Sequence, residues 1–295
     1  MAKINFSSKI INLFLISFLI ITSTVIIFSF NYQFLNSTYD PSNEKRAVAF
    51  GLYGNKKLYT LGALKNAELV PEVYPGWDAV FFVDEKTVPT EIIAGLKERG
   101  AIVITNKKHN GNMFGRFMIA DFEEYDRFIV RDADSRVSHR EAKAVREWIE
   151  SGELLNNIRD HEYHGAKIMG GLWGARKGFL KGKKMLDLAE TWNSHKVKQD
   201  DQNFLAAIIW PLVGEENILS HDNFFCLTTP EHTMPLPRKA NQSYAGQVVH
   251  FDENDQEYTK DNNTRLPDKN CYKEKKYRHK NFIKRIINNI LSWLK

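Results

Sequence analysis

The chain is poor in cysteine, with 2 residues in 295, Cys226 and Cys271. A disulfide scaffold is thereby excluded, as is a zinc site built on cysteines. No phosphate-cradling loop ending in Gly-Lys-Ser/Thr occurs, and His161 and His164 are not spaced as a helical zinc pair. A basic body is missing too. The net charge of +5 arises in residues 271–295, which hold eight Lys/Arg and one Glu, so residues 1–270 sum to −2. A body so near neutrality offers no nucleic-acid-binding surface. What is present is an ordinary globular composition, 43% hydrophobic and 26% charged. The length suits one large domain, or one domain with appendages.

Charge is absent from the 21 residues Ile10 to Phe30, which are rich in Ile, Leu and Phe. Such a run spans a bilayer as a helix. Lys3 and Lys9 precede it and no Lys or Arg follows before Lys45, which places the N-terminus in the cytosol. No A-x-A-like cleavage site follows the run, so the expectation is an uncleaved signal-anchor over 10–30 rather than a removed signal peptide. Residues 1–9 are then a cytosolic N-terminus and 31–45 a short stem.

From Arg46 strands and helices alternate. The expected strands are Ala47–Phe50, Asp78–Asp84, Ala101–Thr105 and Phe128–Val130. Between them fall a helix from Tyr59 to Leu69, stopped before Pro71, and one from Pro89 closed by Gly100. Ser138 and Glu141 form a capping box that opens a helix to about Glu150. Met185–Trp192 and Phe204–Trp210, the latter ended by Pro211, read as helical, and Ile218–Asp222 as a strand end. Apolar strands separated by helices predict an α/β fold, with a mainly parallel central sheet covered on both faces. Ligands of such sheets bind at the C-terminal strand ends.

Asp132-Ala133-Asp134 lies at one of those ends. Carboxylates at i and i+2 of an extended chain share a side, so the pair suits one hard cation, Mn²⁺ or Mg²⁺. Arg131 and Arg136 flank it, either neutralising it or holding a phosphate. D-x-D alone is common, and a polar turn is its plain alternative. Further on, Asp160, His161 and His164 precede Gly170-Gly171-Leu172-Trp173-Gly174, and together they look like a site wall. Solvated loop histidines are the competing reading. Asp200 and Asp201 open a helix, where capping is a sufficient role for both. Residues 231–270 are polar and irregular. The basic tail, 271–295, has one apolar helical face, suited to a membrane interface or to packing on the domain.

The order of these features resembles glycosyltransferases of the GT-A fold with a D-x-D motif, most nearly the glycogenin-like group. Four pieces carry the resemblance: Arg116-Phe117 before the D-x-D strand, the glycines at 170–174, Asp200-Asp201-Gln202-Asn203, and Ser220-His221-Asp222. They cover residues 47–225 of a catalytic domain over 46–230. Two departures stand out. Arg131 replaces the hydrophobic residue before D-x-D, and the group's His-x-x-Gly-x-x-Lys ending is missing.

The resemblance implies transfer of a sugar from a nucleotide-sugar donor to a glycan, protein or lipid acceptor. Asp132, Asp134 and His221 would hold the divalent ion, with His250 competing for the last place. Gly51, Tyr53, Asp84, Arg116, Arg131, Gly170 and Gly171 would bind the donor. Asp201 would serve the acceptor hydroxyl, with Asp200 and Asp160 as alternatives. A type II membrane protein with a Golgi-like luminal domain fits the topology, and Asn36, Asn241 and Asn262 are permissive glycosylation sites. A bacterial inner-membrane enzyme with a cytosolic domain is the alternative. The competing functions are a nucleotidyltransferase or metal-dependent hydrolase using the same carboxylates, or a non-catalytic membrane-tethered carbohydrate-binding protein.

Overall fold

The computed structural model describes residues 43–260, apart from 106, 193–198, 223, 226–230, 233 and 235–242. The expected anchor at 10–30, nearly all of the stem, the basic tail, both cysteines and all three glycosylation sites lie outside the described residues. Among the described residues no helix is long and apolar enough to cross a membrane.

One unit begins at Lys45 and carries the elements that follow. Strand β1 (Arg46–Leu52) is central and flanked in parallel by β2 (Trp77–Val83) and β4 (Arg127–Arg131). Its side chains alternate between two cores. Ala47 and Ala49 join one, and Val48, Phe50 and Leu52 the other. A strand buried on both faces requires such an unbroken apolar run. Helices α1 (Lys57–Val73) and α2 (Thr90–Glu98) contribute to the second core, and β3 (Ile102–Ile104) pairs with the outer edge of β2.

Beyond β4 come α3 (His139–Ser151), β5 (Leu155–Arg159), β6 (Leu172–Arg176), α4 (Met185–Thr191) and β7 (Ile218–Asp222). The sheet runs β3-β2-β1-β4-β6-β5-β7-β8, where β8 is the short strand Glu231–His232. Only β6 is antiparallel to its neighbours within that order. The result is the expected α/β sheet, mostly parallel and with helices against it. Two short strands, β9 (His250–Phe251) and β10 (Glu257–Tyr258), pair separately in the segment read as irregular.

Two local expectations are corrected, and one strand that the sequence analysis lacks is added. Helix α1 does not stop before Pro71 but includes it, ending at Val73. A proline so near a helix end removes one N–H, and the buried neighbours Val70 and Val73 hold the last turn in place. The helical run from Asp200 likewise passes Pro211. After α5 (Asp200–Phe204) it loosens to a π-turn over Leu205–Ile209, and Pro211 then sits in the first turn of α6 (Trp210–Val213). Strand β5 was not legible at all, because Leu-Asn-Asn-Ile-Arg has little β character. Two of its polar side chains have particular partners: Asn157 Nδ2 donates to the Lys167 carbonyl, and Arg159 Nε lies 2.9 Å from Asp222 Oδ2.

Candidate active site

The D-x-D turn leaves the C-terminal end of β4 and is pressed onto α1. A Cβ at Gly62 would overlap the Ala133 carbonyl oxygen, so only glycine allows this approach. One turn later Asn66, with no solvent exposure, fastens the turn. Its Nδ2 lies 2.7 Å from the Ser135 carbonyl oxygen and 3.3 Å from that of Ala133, and its Oδ1 accepts from the Val137 N–H at 3.2 Å. On the other side the Val249 N–H donates to the Asp134 carbonyl at 2.8 Å. The orientation of both carboxylates is thus set by α1 and by a strand segment more than a hundred residues later.

Arg116, on a 3₁₀ turn (Gly115–Asp121), reaches into the same place. Its Nη1 is 2.9 Å from Asp132 Oδ1 and its Nη2 is 2.7 Å from Asp201 Oδ2. Its Nε donates to the Gly170 carbonyl at 3.2 Å. The two glycines explain themselves here. A side chain at Gly171 would overlap the Asp132 carboxylate, and a Cβ at Gly170 would stand 2.5 Å from Asp201 Oδ2.

A cavity of about 600 Å³ opens over this triad. Of the residues singled out from the sequence, it brings together Asp132, Asp134, Arg116 and Asp201 with Gly170 and Gly171, and Gly51 and Tyr53 from the end of β1. Six other candidate ligands and catalytic residues do not line it. Arg131 shares a strand face with Ile129, which packs in the α3 core, and so points at α3. There its Nε lies 3.0 Å from Glu141 Oε1 and its Nη1 donates to the Gly171 carbonyl, so the buried guanidinium supports the glycine wall from behind. His221 likewise shares a face with Leu219 of that core. Its ring is fully buried, with Nε2 3.1 Å from Glu147 Oε2.

Asp160 is held by Arg140 through both oxygens and by the Ala245 N–H. Asp200 accepts from Trp192 Nε1 at 3.1 Å, and Asp84 caps its own turn through Thr87 Oγ1 at 2.7 Å. His250 stacks on Tyr258, outside the cavity.

Several lining residues carried no signal in the sequence. Tyr59 stands beside Tyr53, and Lys56 precedes α1. Gln199 has a left-handed backbone (φ 71°) at the head of α5, the kind of strained position that clusters at functional sites. Gly246, from the segment read as surface, lies beside His164, which is buried rather than solvated.

Electrostatics single out Asp134. Burial, and then the charge of Asp132, push its carboxyl up to about 6. Among the described residues no cation stands at bonding distance from it. The carboxylates of Asp132 and Asp134, side by side on the cavity wall, fit a divalent ion that completes its shell with substrate phosphates. No group of three His, Cys, Asp or Glu side chains among the described residues is arranged to hold an ion unaided.

A carboxyl raised in the fold is protonated there and ionised in the unfolded chain between about pH 4 and about pH 6. Its contribution therefore falls as pH rises through that window. His164, pushed down by burial to about 4, acts with the opposite sign over the same range. The wild-type curve alone does not separate them, but Asp134→Asn does. With chelator present, its melting temperature should overtake that of the wild type as pH rises from 4 to 7, by at most about 3 kcal/mol of stability. A constant difference across that range would remove the argument.

No family model matches the chain, and no curated protein matches it in sequence. Solved structures do match. One is the mannosyltransferase PcManGT from Pyrobaculum calidifontis in complex with GDP-Man and Mn²⁺, at 13% identity and a TM-score of 0.39, over 55% of this chain and 50% of that one. Another is a glycosyltransferase involved in glycosylation of the major capsid of PBCV-1, at 14% identity and 0.38, over 60% and 81%. A third is residues 1–349 of TarS from S. aureus, at 15% and 0.36, over 54% and 53%. This chain spans about half the length of the mannosyltransferase and of the TarS fragment.

Proposed function

We propose that this protein is a membrane-anchored, metal-dependent glycosyltransferase that moves a sugar from a nucleoside-diphosphate sugar to a hydroxyl of a glycan, protein or lipid. One observation carries the reading: Asp132 and Asp134 sit at a strand's C-terminal end on the wall of a cavity, with Arg116 joining Asp132 to Asp201. A nucleoside diphosphate leaves poorly until its negative charge is balanced. Asp132 and Asp134 would hold Mn²⁺ or Mg²⁺, which supplies Lewis-acid stabilisation to the departing diphosphate. Arg116 adds a fixed positive charge on the same wall, preorganised by its two carboxylates and the Gly170 carbonyl.

Tyr53 and Tyr59, both partly exposed at the cavity, offer faces for the nucleoside. Asp201, which lines the same cavity, would serve the acceptor. Burial raises its carboxyl, moving it toward the range in which a base works near neutral pH. The anchor at 10–30 keeps this chemistry at a membrane.

The test is a screen of the full chain, purified in detergent, against sugar nucleotides with and without Mn²⁺. Release of nucleoside diphosphate that requires the metal and is stimulated by an acceptor is the expected result. No turnover or binding of any sugar nucleotide would overturn the proposal. Metal-dependent hydrolysis that no acceptor diverts would favour the hydrolase instead.

A further inference from the structure

His164 is a buried imidazole in the cavity wall whose proton can be placed. The ring is 8% exposed and lies among the rings of His161 and Tyr244 and beside Gly246. Its Nδ1 lies 3.1 Å from the backbone nitrogen of Asp160. A backbone N–H can only donate, so Nδ1 accepts and a neutral ring carries its proton on Nε2. Burial holds the ring neutral, taking it down to about 4. The tautomer is well supported: Asp160 is fixed by Arg140 and by the Ala245 N–H, so the amide that sets it does not move freely. Among the described residues nothing partners Nε2. The ring lines the cavity, which is where an acceptor for that proton can enter.

We infer that the His164 Nε2–H is a substrate-binding donor, which hydrogen-bonds an oxygen of the sugar-diphosphate portion of the donor nucleotide. A neutral donor suits this place. Arg116 and the divalent ion already balance the diphosphate's charge, whereas an uncharged N–H adds direction without competing for the carboxylates. The inference rests on the sugar-nucleotide reading. It adds a contact that neither the D-x-D pair nor Arg116 provides.

Two substitutions separate binding from architecture. His164→Asn places an amide oxygen near the position of Nδ1, keeping the acceptor for Asp160 but removing the donor. His164→Gln reaches toward the position of Nε2 and restores a donor there, at the expense of the Asp160 contact. Binding is measured by calorimetry on the full chain in detergent with Mn²⁺, using UDP, GDP, UDP-glucose and GDP-mannose as probes. For whichever probe the wild type binds, His164→Asn should weaken binding about tenfold and His164→Gln less than about threefold. Loss with the diphosphate alone assigns the contact to a phosphate oxygen, and loss confined to the sugar conjugate assigns it to a sugar hydroxyl.

Wild-type affinity in His164→Asn, or equal loss in both variants, would overturn the inference and leave the transferase reading standing. Failure of the wild type to bind any probe would remove both. If either variant melts well below the wild type, the same comparison is made with His164→Phe, which keeps a planar ring and lacks both nitrogens. It should then match or exceed the loss seen in the Asn variant, and retained binding again sinks the inference.

Discussion

Asp132→Asn is expected to yield a folded protein whose metal-dependent sugar transfer falls by at least about 10²–10³-fold. The fold should persist because the Asp132 side chain is 42% exposed and belongs to neither core. Asparagine has nearly the same shape, so it occupies the space that Gly171 leaves open. What disappears is one of two negative charges available to a divalent ion, together with the ion pair that holds Arg116 on this wall. Both act on charge that grows as the diphosphate departs, so the loss should fall on kcat rather than on KM. The measurement is initial rate against Mn²⁺ concentration, with the melting temperature recorded alongside. An Asp132→Asn protein that transfers sugar at the wild-type rate would show that the D-x-D pair is only a polar turn.

Much of this arrangement was legible in the sequence because its physics is local. The runs Ala47–Phe50 and Ala79–Val83 are apolar without interruption, as strands buried on both faces must be, and they lie as β1 and β2. The capping box predicted at Ser138 forms, with the Glu141 N–H donating to Ser138 Oγ at 3.3 Å. Arg116, Asp132, Asp201 and the glycine pair were singled out by their order along the chain, since a polar turn and helix capping are ordinary uses of the same residue types.

What was not legible depends on partners distant in the chain. The role of Asn66 requires knowing that the helix after β1 packs against the turn after β4, 67 to 69 residues on. For His164 the sequence left site wall and solvated loop both open, and the choice needs Gly246 and Tyr244, brought beside it from about 80 residues later. Arg131 and His221 were misplaced for one shared reason. Residue type suggested a ligand, but strand parity sends both side chains toward α3, and parity becomes decisive only when the register is known.

Arg116→Met should produce the largest loss of stability among single changes at this site, about 3–5 kcal/mol near neutral pH. Methionine fills much of the same volume but leaves Asp201 ionised without a counter-charge, and the side chains of that ion pair are only 6% and 10% exposed. It also leaves the Gly170 carbonyl without the Nε donor. The deficit has a pH signature. Burial already raises the Asp201 carboxyl, and removing the guanidinium, which opposes that rise, lifts it further. A raised carboxyl destabilises above its folded value and is harmless once the unfolded chain is protonated too. The gap between variant and wild type should therefore close as pH falls toward about 4.

The double variant Arg116→Met, Asp201→Asn discriminates between the two duties of the arginine. Neutralising the stranded carboxylate should recover most of the stability at pH 7, because the penalty comes from an unpaired buried charge rather than from lost packing. It should recover none of the turnover, because the positive charge facing the diphosphate and the Asp201 carboxylate that serves the acceptor are then both absent. Recovery of activity together with stability would mean that Arg116 only holds the fold, and the departing diphosphate would then need a different counter-charge.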